Sequence, residues 1–180
     1  MSLDRESTWY KPQSEIVFGV SAAVGTPIDD VESLLKDIVT TSFSYDFNTV
    51  RITSILEEAP ELQSHIDDSC EYNRLRTLMD AGDNARKRGT NDILARFAIS
   101  RIAELRKEPP SPLGRTCHVI RSLKHPDEVE LLRMVYGNGF FLLGVFSSEK
   151  ERIAHLQHNG NMNHEQAMEL WTSQGSVDTS

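Results

Sequence analysis

The feature that most constrains this chain is an alternation between short apolar runs and longer segments of helical period. EIVFGVS (Glu15 to Ser21) and GFFLLGVF (Gly139 to Phe146) are nearly continuous in apolar residues, the pattern of strands covered on both faces. FNTVRITSI and TCHVIRSL, around Val50 and Val119, are less apolar but rich in β-branched residues. Between these runs lie three helical stripes: Ile28, Val31, Leu34, Leu35 and Ile38; Leu75, Leu78, Met79 and Ala85; Leu94, Phe97, Ala98, Ile102 and Leu105. The order β-α-β-α-α-β-α-β-α-α predicts an α/β fold of three layers, with a mainly parallel sheet between helices joined by right-handed crossovers.

Helix starts are also legible. His125-Pro126-Asp127-Glu128 puts proline at the first helical position and acids in the first turn. Ser148 with Glu151, and Asn163 with Gln166, have the spacing of a capping box. The 180 residues suit one domain. Its expected extent is 15–172, with polar, aperiodic and flexible tails at 1–14 and 173–180.

A net charge of −8 argues against a general affinity for nucleic-acid backbones but leaves room for a local basic pocket. No apolar run is long enough for a membrane helix, and the N-terminus lacks the apolar core of a signal peptide, so the cytoplasm is the expected location. Cys70 and Cys117 are too few for a disulfide framework or a cysteine zinc site and read as reduced thiols.

The first strand runs into Val20-Ser-Ala-Ala-Val-Gly25-Thr26-Pro27 and then directly into a helix. This is the setting of a phosphate-binding loop, G-x-x-x-x-G-K-[ST]. Gly25 occupies the second glycine position, and small residues around it, Ser21 included, let backbone amides approach a phosphate. Val20 replaces the first glycine, Thr26 the lysine and Pro27 the hydroxyl that holds magnesium. Those groups supply the main electrostatic terms of phosphoryl transfer. The residues alone fit two readings equally: a retained phosphate site, or a strand-turn-helix corner that uses glycine for geometry.

Met79-Asp-Ala-Gly-Asp-Asn-Ala-Arg86 followed by Thr90-Asn-Asp-Ile-Leu-Ala95 resembles a stretch of small-molecule P-loop kinases in which a Gly-acid-x-x-Arg turn near the acceptor leads into a long helix. His118 to Arg133, and Gly139 to Phe146 followed by Glu151-Arg152, look like the later strands and the start of the lid region. Together with the lysine-free loop, residues 15 to 157 resemble the N-terminal P-loop kinase-like domain of anti-phage deoxycytidylate deaminases, relatives of deoxynucleotide monophosphate kinases. The resemblance implies a degenerate nucleotide-binding or sensing domain, regulatory to a deoxycytidine-nucleotide deaminase in antiviral defence. It implies phosphate contacts from Ser21, Gly25, Thr26, Arg86, Arg121, Lys124 and Arg152, and no catalytic residue. The ligand would be ATP or a deoxynucleotide, with or without Mg, and the partner a deaminase domain or chain. Such domains add another strand about where this chain stops, which implies a fragment, a truncated gene product or a domain taken by itself.

An arginine can hold a phosphate by two parallel hydrogen bonds, so an arginine cluster at a sheet edge can compensate for the lost lysine. Arg86 and Arg121, next to predicted strand ends, are expected to face the ligand, whereas Lys124 and Arg152 also fit solvated surface charges. The zinc-deaminase motifs H-x-E and P-C-x-x-C do not occur. His155, His158 and His164 lack an accompanying thiol or carboxylate on one face, and Asp80, Asp83 and Asp92 fit exposed helix turns. Met168, Leu170 and Trp171 read as a core-facing stripe. An active nucleotide kinase and a ligand-free assembly module, including a homo-oligomer, remain alternatives.

Overall fold

The first apolar run forms β1 (Ile16–Ala22), and the other three strands all run parallel to it. The computed structural model describes residues 14–58, 62, 65–106 and 113–175. Most of the two expected tails, 1–13 and 176–180, lies outside the described residues. β2 (Asp46–Arg51), β3 (Thr116–Arg121) and β4 (Phe140–Val145) complete a sheet of order β2-β3-β1-β4. The helices are α1 (Ile28–Asp37), which runs on into a π-turn at Ile38–Ser42, α2 (Ile52–Glu58), α3 (Glu71–Arg88), α4 (Ile93–Leu105), α5 (Pro126–Tyr136), α6 (Glu149–Asn159) and α7 (His164–Gly175). The α/β expectation of a parallel sheet between helices holds.

Successive side chains of β1 point to opposite faces, and this alternation builds two cores. Val17 packs with Val50, Ile120, Leu132 and Phe140 and with buried residues of α2, α3 and α4, including Leu94, Ala98 and Ile102. Val20, on the opposite face, packs with Val39, Cys117 and Val119, and with Ile28 and Leu35 of α1. A third cluster joins Ile153, Leu156, Ala167 and Leu170 of the last two helices, and Met162 between them, to Val24 and to Tyr72, Leu75 and Met79 of α3. The second helical stripe therefore divides, with Leu78 and Ala85 facing the sheet and Leu75 and Met79 facing α6 and α7.

Four expectations change. FNTVRITSI is not one strand: β2 ends at Arg51, and Ile52, Ile55 and Leu56 are the buried stripe of α2. β4 is an edge strand, so Phe141 and Leu142 are 48% and 43% exposed instead of covered on both faces. The stripe of α1 contributes no fully buried residue, and Leu34 is largely exposed. Gly82-Asp83 lies inside α3 and forms no turn. The helix starts, in contrast, are as expected. Ser148 and Glu151 bond reciprocally, as do Asn163 and Gln166. His125 Nδ1 accepts from the Asp127 amide while Glu128 Oε2 accepts from the His125 amide.

The strands are also tied together at their amino ends. Buried His118 of β3 meets Glu15 Oε1 at 3.0 Å through Nε2 and Asn48 Nδ2 of β2 at 3.0 Å through Nδ1. The Asn48 amide donates, so the imidazole proton sits on Nε2 and is given to Glu15. Arg106, at the end of α4, donates to the other Glu15 oxygen at 2.5 Å.

Gly19 lies where β1 has no room for a side chain. A Cβ there would lie 2.6 Å from Leu123 Cδ1 and 2.8 Å from the Phe140 ring. Gly19→Ala is expected to lower unfolding free energy by about 1–3 kcal/mol through overpacking, measured by urea denaturation.

Candidate functional site

The chain leaves β1 for α1 on one face and leaves β3 for α5 on the other, although β1 and β3 are neighbours. Helices departing in opposite directions open a crevice at the carboxyl ends of these strands, the position where open α/β sheets bind ligands. The residues at its mouth are the β1–α1 loop and Ser122 to His125.

The loop is tighter than its sequence layout suggests. β1 continues through Ala22, and the chain then closes a turn in which the Thr26 amide donates to Ala23 O at 3.1 Å. Gly25 has φ +82°, the value a type II turn needs at its third residue, which explains the glycine by turn geometry. A side chain at this position would also collide with α6: a Cβ would lie 2.7 Å from Arg152 O. Around Pro27 the Ile28 amide reaches back to Thr26 O at 2.8 Å, an inverse γ-turn that starts α1. Thr26, in the place of the lost lysine, is only 6% exposed, and its Oγ1 has no hydrogen-bond partner among the described residues.

Two cations converge on this loop. Lys124 Nζ donates to Ala22 O at 2.5 Å, and Arg152 Nε donates to Val24 O at 2.7 Å. Arg152 Nη2 is buried without a partner among the described residues, and burial lowers the guanidinium's pKa, although an arginine stays charged. The Lys124 pKa is pushed down to about 8, first by desolvation, then by the charges of Arg152 and Arg86, with Glu128 opposing. As a residue Lys124 keeps solvent access, while its ammonium is the buried end of the side chain. Beside it, an open depression of about 360 Å³ is lined by Ser21, Lys124, His125, Val129, Arg133 and Leu142. Neither Lys124 nor Arg152 forms an ion pair with a carboxylate among the described residues.

The two arginines expected to face the ligand are held elsewhere. Arg121 Nη1 bonds Asp29 Oδ1 at 2.6 Å and Glu32 Oε2 at 2.5 Å, both on α1. Its hydrogen bond and charge hold the Asp29 carboxyl below the usual range. Arg86 gives two hydrogen bonds, at 3.1 and 2.7 Å, to Glu128 Oε1. Glu128 is fully buried, and its other oxygen accepts from the amides of Lys124 at 2.8 Å and His125 at 3.1 Å. Asp29 and Asp30 also put negative charge on the first turn of α1, which opposes an anion directly on that helix axis.

Of the seven residues singled out from sequence, Gly25, Thr26, Lys124 and Arg152 meet at the loop, with Ser21 one strand position away. Arg86 influences Lys124 through Glu128 and its own charge, and Arg121 pairs on the α1 side. Sequence reasoning missed Glu128 as the hub. Its only signal was its place in the first turn after Pro126, and helix-start acids are ordinarily exposed. The charges of the remaining candidates are local: Asp92 pairs with Arg96, and Asp83 lies 3.6 Å from Arg86.

No protein-family model and no curated protein matches the chain. Several solved structures are similar to it. TT1252 from Thermus thermophilus is 15% identical, with 89% of this chain and 81% of that chain covered and a TM-score of 0.46. A gluconokinase from Sinorhizobium meliloti 1021 is 14% identical, with 88% and 74% covered and a TM-score of 0.41. The fold described above rests on the sheet and its register, independently of these likenesses.

Removing Glu128 takes both charged hydrogen bonds from the largely buried Arg86 and leaves it only the longer contact with Asp83. Glu128→Ala is expected to cost about 3–5 kcal/mol of stability, read from denaturant midpoints. Lys124 gives a pH signature. Its folded pKa of about 8 lies below the ordinary 10.5, so between these values the unfolded chain holds the proton more tightly. Its contribution to stability therefore improves as pH rises through that window and is constant below it. The stability of the wild type relative to Lys124→Met is expected to rise between about pH 8 and pH 10, and unfolding titrations of both proteins measure it.

Proposed function

We propose that this chain is a phosphate-recognising domain that binds a nucleotide or related phosphate-bearing small molecule and does not transfer its phosphoryl group. The observation that carries the reading is the convergence of Lys124 and Arg152 on the carbonyls of Ala22 and Val24, with neither in an ion pair among the described residues. A phosphate competes well for such cations, because an ion-to-ion hydrogen bond is about twice as strong as one to a neutral carbonyl. The buried Arg152 Nη2 and Thr26 Oγ1 offer it two further unpartnered groups. Thr26 and Pro27 supply neither the mobile lysine nor the metal-binding hydroxyl of a working kinase loop, which favours metal-independent recognition. In this reading Lys124, delivered from the end of β3, takes over the charge of the missing loop lysine.

The resemblance carried by the lysine-free loop and by residues 118–152 supports a finer version. In it the ligand is a deoxynucleotide, and the domain regulates a deoxycytidine-nucleotide deaminase in antiviral defence. A second reading, a ligand-free assembly module, is favoured by the type II turn that explains Gly25 without a ligand and by the pairing of Arg86 and Arg121 with carboxylates.

Calorimetric titration with inorganic phosphate, ATP, dATP, dCMP and dCTP separates the two. Saturable binding is expected for at least one of them, weakened about tenfold or more by Lys124→Ala and by Arg152→Ala, the loss of one charged hydrogen bond each. Affinity is expected to fall as pH rises through about 8, where Lys124 loses its charge, and Lys124→Ala is expected to flatten that profile. Absence of binding to all five leaves the assembly reading. Labelled phosphate appearing on an acceptor would overturn the non-catalytic one.

A further inference from the structure

The two edges of the sheet are treated differently. β2, DFNTVR, carries Asp46 and Arg51 at its ends and polar Asn48 and Thr49 between them, the charged and polar character that keeps an edge strand from pairing. β4 and the residue after it, FFLLGVF, contain no charge and no proline. Phe141 and Leu142 are half-exposed, and Phe146 is 90% exposed. Among the described residues nothing returns to cover this edge. After β4 the chain crosses back, α6 packs on Gly25 and Val24, and α7 packs toward α3.

We propose that a second copy of this chain occupies the β4 edge, pairing antiparallel about a two-fold axis to continue the sheet. An isologous contact requires one patch to complement itself, and β4 does so. With the axis at Leu143, Phe141 lies opposite Val145 of the second copy on the α1 face. Leu142 lies opposite Gly144 on the α5 face, where nothing stands within 4 Å of a Cβ built on Gly144. The large residue meets the gap. Charge is self-complementary as well. Glu130 and Arg133 border the same depression as Leu142, both are exposed, and neither forms an ion pair among the described residues. An acid and a base three residues apart on α5 face their opposites when a two-fold runs two such helices past each other. The open amides and carbonyls of the edge gain partners at the same time.

The test is sedimentation of the full chain from about 1 to about 100 μM, the range in which an interface of modest size separates. A monomer–dimer equilibrium is expected, weakened at least tenfold by Leu142→Lys and by Phe146→Glu. Phe146 is almost wholly exposed, so its replacement leaves the fold intact even if Leu142→Lys perturbs the strand. Glu130→Arg is expected to weaken the dimer and the exchanged pair Glu130→Arg with Arg133→Glu to restore it. Amide exchange at 140–146 is expected to slow as concentration rises. A wild type that stays monomeric at about 100 μM, including one whose edge takes up a different chain instead, overturns the proposal. So does a dimer unaffected by Phe146→Glu and Leu142→Lys.

Discussion

Glu128 is a carboxylate with no exposure to water, and burying such a charge is tolerable only when it is fully paired and hydrogen-bonded. Here one oxygen takes two hydrogen bonds from Arg86 and the other takes the amides of Lys124 and His125. The same group therefore caps α5, fixes the path between β3 and α5, and ties both to α3, which is 42 residues away in sequence. Lys124 inherits its position from this arrangement. Its backbone is held by Glu128, and its ammonium is thereby directed to Ala22 O across the crevice.

The β1–α1 loop answers to a different constraint. Its type II turn and the close approach of α6 both require glycine at position 25, so the glycine that signals a phosphate loop is already accounted for by geometry. What points to a ligand is instead the electrostatic imbalance around the turn. In a chain of net charge −8, the arginines Arg74, Arg86, Arg96, Arg106 and Arg121 all have carboxylate partners. Arg152, half-buried at the loop, has a backbone carbonyl and an unpartnered nitrogen. The proposed anion would complete that set.

Much of the fold was legible because it depends on local chemistry. Near-continuous apolar runs such as EIVFGVS suit strands between two helical layers, and His125, Ser148 and Asn163 announce helix starts through hydrogen bonds spanning two or three residues. The misreadings arose where tertiary context decides. β4 has the composition of a central strand but lies at the edge, and strand order is not written in any one segment. Ile52, Thr53 and Ile55 are β-branched, yet the segment winds into α2, where Ile52, Ile55 and Leu56 face one core.

For the site the division is sharper. The sequence by itself determined that a glycine-bearing loop follows the first strand of a parallel sheet, and that this loop lacks the lysine and hydroxyl of phosphoryl transfer. Only the tertiary structure decided which cations serve it. Arg121 and Arg86 find carboxylates 89 and 42 residues distant, while Lys124 and Arg152 reach loop carbonyls 102 and 128 residues distant. The physical reason is that side-chain charge is paired through space. A residue type and its neighbours in sequence set what it can bond, and the packing of α1, α5 and α6 around β1 sets what it meets.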